Sequence, residues 1–202
     1  MIFFSQTARL RLKITKAEKE RLARRSKVNA EAYQAYLKGR FYWNKRTKEG
    51  LLKGLDYFKK AIDSDPGYAL AYVGVADSYI MLAFYNYLPP KEAMPMGKEA
   101  ALKALEIDDA LGEAHNSLAY VKSRFEWNWI EAEKEFKRAI ELSPNYATAH
   151  HWYAILLAQM GRSDEAYEER ASYIIYVKVD PKLDSLRSEP RFKALMAKLK
   201  LE

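Results

Sequence analysis

EAEKEFKRAIELSPNYATAHHWYAILLAQMGRSDEA, residues 131–166, reads as the second helix of one helical hairpin, a short turn, and the first helix of the next. Ala132, Phe136 and Ala139 fall at i, i+4 and i+7, one stripe of an α-helix. Pro144 ends that helix, because proline has no N–H to donate and pushes the residue before it out of the helical region. A new helix is predicted from after Asn145 to Met160. Gly161 is suited to the left-handed conformation that closes a helix, and Ser163 is placed to cap the one that follows.

The same unit recurs along the chain. Four helix starts align on Ala32, Ala71, Ala114 and Ala149, followed by Tyr33, Tyr72, His115 and His150. Second-helix alanines align at Ala61, Ala104 and Ala139, and the helices stop at Pro66, at Asp109 where a proline would stand, and at Pro144. The reading is an all-α stack of four hairpins, about residues 30–66, 69–109, 111–144 and 147–173. Inserted residues 44–49 and 86–96 are read as loops between the helices of the first and second hairpins. Residues 1–29 form a basic helical segment, and residues 174–202 an irregular strand-like stretch followed by a C-terminal capping helix carrying Phe192, Leu195, Met196 and Leu199 on one face.

Composition narrows the function classes. With no cysteine there is no disulfide, thiolate zinc site or Cys nucleophile. No apolar run approaches the length of a membrane span, so a soluble cytoplasmic protein is expected. The formal charge is +7, and residues 1–29 alone carry nine Lys or Arg against two Glu. The remainder balances near neutrality, so the net charge implies no basic character for the main body.

The spacing from Phe58 to Ala61 to Pro66, and from Pro66 through Tyr72, Val75, Ala76 and Tyr79, resembles the tetratricopeptide repeat. That resemblance implies a right-handed superhelix with a concave binding face. AEAYQAYLKGRFYWNKRT, ALAYVGVADSYIML, AHNSLAYVKSRFEWNW and DPKLDSLRSEPRF look like the C-terminal repeat region of bacterial multidomain signalling proteins. In those, a winged-helix, kinase or cyclase domain precedes a TolB-like segment, to whose tail RLRLKITKAEKERLARR would correspond.

No phosphate-binding glycine loop, nucleophile elbow or HExxH motif is present, so no enzyme and no cofactor are expected. His150 and His151 are adjacent and point about 100° apart on a helix, which argues against a shared metal. Tyr72, Tyr79, Phe136 and Trp152 are expected in the core. In RFYWNKR, residues 40–46, Phe41 and Trp43 are expected to pack while the cations are solvated, rather than to stack nucleic acid.

The candidate site is the concave face, formed by first-helix positions between the core stripes. In register these are Gln34, Lys38, Phe41 and Tyr42; Val73, Asp77 and Met81; Asn116, Tyr120 and Arg124; and His151, Ile155 and Gln159. The mixed apolar and hydrogen-bonding set differs from the Lys and Asn clamp by which the family's chaperone-tail binders hold a terminal carboxylate. It suits a protein or peptide ligand. Nucleic acid bound through the basic N-terminal segment and a homo-oligomer are the alternatives.

Overall fold

The structure is a computed structural model that describes residues 29–166, 168 and 169. It contains α1 (Ala30–Trp43), α2 (Lys48–Ser64), α3 (Ala69–Phe84), α4 (Pro90–Ile107), α5 (Gly112–Arg124), α6 (Trp129–Leu142) and α7 (Ala147–Gln159). Residues 163–166 begin a further helical stretch, and no strand occurs among the described residues. The basic segment before Asn29, the strand-like stretch and the capping helix lie outside them.

Local chemistry explains the helix ends. The side chains of Asn29, Thr47 and Asn128 accept hydrogen bonds from the N–H groups of Glu31 (2.8 Å), Gly50 (3.0 Å) and Glu131 (3.2 Å), so α1, α2 and α6 start with an otherwise orphaned donor satisfied. The even-numbered helices end alike. Asp65, Asp108 and Ser143 each donate to the carbonyl of the seam alanine four residues back, Ala61, Ala104 or Ala139, at 2.9 Å. The turn then closes through Tyr68, Leu111 and Tyr146 donating back to those same three residues at 2.9–3.2 Å. Gly161 adopts φ +77°, the left-handed closure its sequence position suggested.

The seam alanines are the contact surfaces of the stack. Ala32, Ala61 and Ala71 are fully buried in one cluster and Ala104 with Ala114 in another, and Ala139 and Ala149 are each fully buried. A methyl group is the largest side chain that lets helix backbones approach this closely. Where α1 and α3 meet Phe58 of α2, even a methyl group is too large. A Cβ on Gly39 would lie 2.6 Å from the Phe58 ring and one on Gly74 2.5 Å from it, so the fully buried Phe58 is clasped between two glycine backbones. This fixes the rotation of α1 about its own axis.

Three expectations are corrected. Residues 90–96 are the first two turns of α4 rather than loop: Pro90 starts the helix, Pro95 is accommodated inside it, and Ala93 and Met94 are buried in the main core. Tyr72, Tyr79 and Trp152 are half-buried, whereas Phe136 is in the core. Phe41 is 62% exposed while Trp43 is buried; Lys45 is exposed as expected, whereas Arg40 and Arg46 are half-buried over the Trp43 ring.

Candidate functional site

The odd-numbered helices, which open the hairpins, line a cavity of about 300 Å³. Arg40, Trp43, Asn44 and Arg46 come from α1 and the turn after it, Asp77, Ile80 and Met81 from α3, and Asn116, Ser117 and Tyr120 from α5. Tyr146, Thr148 and Trp152 close it from the α7 side. Tyr120 and Trp152 meet edge to face at 4.6 Å between ring centroids.

The floor is polar and buried. Asp77 is 9% exposed, accepts a hydrogen bond from the Ser117 hydroxyl at 2.7 Å, and has Arg40 at 3.6 Å. Burial pushes its carboxyl up to about 6, and the Ser117 bond and the Arg40 and Arg46 charges only partly offset this. Asn116 is 4% exposed, and among the described residues neither its Oδ1 nor Oε2 of Glu113, one turn away, has a hydrogen-bond partner. Burial raises the Tyr120 hydroxyl to about 12, against the nearby Arg124 charge, and raises Tyr146 further, so both phenols are neutral donors at ordinary pH.

The cationic rim is built on Trp43. The Arg40 guanidinium lies 4.5 Å and the Arg46 guanidinium 3.6 Å from its ring centroid. Arg46 has φ +56°, an uncommon conformation for a residue with a Cβ. Burial lowers the tendency of its side chain to hold its charge.

Of the residues singled out from sequence, Asp77, Met81, Asn116 and Tyr120 line the cavity. Arg124 stands beside Tyr120, and His151 packs on Trp152 at 5.1 Å. Ile155 is half-buried and Gln159 exposed. Val73 is 3% exposed and packs with Leu111 and Ala114, away from the groove. On α1, Gln34, Lys38 and Phe41 are exposed, Tyr42 stacks on Tyr57 of α2 at 5.5 Å, and Lys38 lies over that same ring. Arg40, Trp43, Asn44 and Arg46 are the α1-side residues sequence reasoning missed. Gly39 was the available signal, because a glycine inside a helix marks a close approach and so tells which face turns inward.

The histidines act as ties. His115 bonds through Nδ1 to Glu135 Oε2 at 2.7 Å and through Nε2 to the Asp109 carbonyl at 3.1 Å; His150 does the same with Glu169 at 2.6 Å and the Pro144 carbonyl at 2.9 Å. Among the described residues no group of His, Asp and Glu has the arrangement of a metal site, and no helix is long and apolar enough to cross a membrane.

The profile of the tetratricopeptide repeat matches residues 135–168. The transcriptional regulators HilA of Salmonella typhimurium and Salmonella typhi are 26% identical over 144 residues, 71% of this chain and 26% of each relative. The chain thus spans about a quarter of the length of these curated relatives. Among solved structures, a thermophilic TPR protein of Thermus thermophilus superposes with a TM-score of 0.62 at 17% identity, covering 92% of this chain and 89% of that one. The first TPR of Spaghetti (RPAP3) bound to an HSP90 peptide superposes with a TM-score of 0.51 at 18% identity, covering 65% and 94%. Repeated alanine seams, the same turn after every even-numbered helix, a profile that matches residues 135–168 and the superpositions lead to one conclusion: the chain has the fold of tetratricopeptide-repeat proteins.

Proposed function

We propose that the chain is a non-enzymatic scaffold that binds a protein or peptide segment in the groove between its odd-numbered helices, as the interaction module of a bacterial signalling or regulatory protein. The observation that carries this reading is the cavity of about 300 Å³, walled by Trp43, Tyr120, Tyr146 and Trp152, with hydrogen-bonding side chains at its floor and rim. Aromatic walls supply contact area at low entropic cost, and unfilled polar groups supply specificity. One of the proteins sharing this fold holds a peptide. The curated relatives are transcriptional regulators several times longer than this chain, which supports a module serving a larger regulatory system.

Affinity capture from the source cell at moderate salt, with bound proteins identified by mass spectrometry, tests it. The variant combining Tyr120→Ala and His151→Ala is expected to keep its helicity and lose the captured partner. Unchanged capture overturns the groove assignment.

A second reading, self-association, is favoured by one observation. Leu37 is 47% exposed where Ala76, Ala119 and Ala154 are buried against a preceding hairpin, and Tyr33 and Phe41 extend that face. Light scattering that shows mass rising with concentration would support it, and a constant monomer mass would remove it.

A further inference from the structure

We propose that Arg40 and Arg46, braced on Trp43, form a bracket for a side-chain carboxylate, so that the segment bound in the groove is acidic. This rests on the groove being the binding site and names the chemistry of its occupant.

Two guanidinium groups converge on one buried indole, at 4.5 and 3.6 Å from the ring centroid, and both line the cavity. Like charges brought together repel unless an anion lies between them. Among the described residues the ion pair of Arg40 is to Asp77 at 3.6 Å, beyond hydrogen-bond distance, and Arg46 has no ion pair. A guanidinium that stacks on an aromatic ring through its face keeps its edge N–H groups for a planar carboxylate. Arg46 is presented from a left-handed backbone that a glycine would adopt without strain.

The charge of the chain argues against the groove being filled by its own ends. Residues 1–28 carry nine Lys or Arg against two Glu, and residues 170–202 carry eight against four Asp or Glu. Both ends are repelled by a cationic rim, whereas an acidic external segment is attracted.

Fluorescence anisotropy of the full chain with pools of N-terminally labelled, randomised octapeptides tests this. One pool has a fixed central Glu and an amidated C-terminus; others replace that Glu by Gln, by Lys, or by Gln with a free C-terminal carboxylate. The expected result is that the Glu pool binds about tenfold more tightly than the Gln pool, as one charge-assisted bidentate contact provides. Arg40→Gln with Arg46→Gln should erase the preference while circular dichroism is unchanged, and Arg46→Lys should retain part of it. If the Glu and Gln pools bind equally, the groove stands and the bracket falls; if no pool binds, both fall. Preference for the Lys pool, or for the free terminal carboxylate, also overturns the assignment. So does a preference for Glu that survives in the double variant, or strong binding of labelled oligothymidylate in place of every peptide pool.

Discussion

Asp77→Asn is expected to make the protein more stable near neutral pH and to leave it unchanged in acid. Asp77 is 9% exposed, and its carboxyl is raised from 3.8 to about 6, chiefly because burial disfavours the charged form. Between those values the folded state binds a proton that the unfolded state has released, so stability falls as pH rises through that window. A shift of about two units at 1.36 kcal/mol each puts the cost of holding the carboxylate above the window at about 3 kcal/mol. Asparagine keeps an oxygen for the Ser117 hydroxyl, which donates to Asp77 at 2.7 Å, and cannot ionise. It does lose the attraction of Arg40 at 3.6 Å, so about 2–3 kcal/mol is the expected gain, or roughly 4–12 °C in Tm for a chain of this size. Thermal melts followed by circular dichroism at about pH 7.5 and about pH 4 measure the difference between variant and wild type, in which groups common to both cancel. A variant less stable than wild type near neutrality, or an equal difference at both pH values, would refute the reasoning.

His115 tests the opposite sign. Burial alone would lower its tendency to hold a proton, but its bonds to Glu135 and to the Asp109 carbonyl outweigh that and raise it. Its stabilisation is therefore complete below the ordinary histidine value of about 6.5 and is lost as pH rises through the higher folded value. His115→Gln should cost more Tm at about pH 6 than at about pH 8.5, and equal costs would show that the imidazole is not held charged. Gly74→Ala should destabilise the protein by about 1–3 kcal/mol in denaturant melts, because its Cβ would sit 2.5 Å from the Phe58 ring. Adding Phe58→Leu should recover part of that loss, and a Gly74→Ala protein as stable as wild type would contradict the clasp.

The hairpin stack was legible because its determinants are local. Ala61, Ala104 and Ala139 recur at places where only a small side chain fits, and each is followed at fixed distance by a helix-ending turn. The polar floor was legible for the same reason: Asp77 and Asn116 follow the register of Ala71 and Ala114. That register failed on α1. Transferred from Ala32 it selects Gln34, Lys38, Phe41 and Tyr42, but the close packing of Gly39 on Phe58 turns Arg40 and Trp43 inward instead. Trp152 was misplaced because a large ring reads as core wherever it occurs, whether it ends beneath the surface or as the wall of a cavity. Tyr146 and Thr148 belong to a turn and a helix start, where apolar periodicity carries no information about facing.

The clasped phenylalanine has a bearing on how the groove receives what enters it. With Phe58 locked between Gly39 and Gly74, α1 can neither roll nor slide without driving backbone into an aromatic ring. The side that carries Arg40 and Trp43 is thus a fixed jaw. Any widening for a bulkier guest is left to the α7 side, where Trp152 stands half-buried at the cavity wall, so fit is adjusted on one side and selectivity is kept on the other.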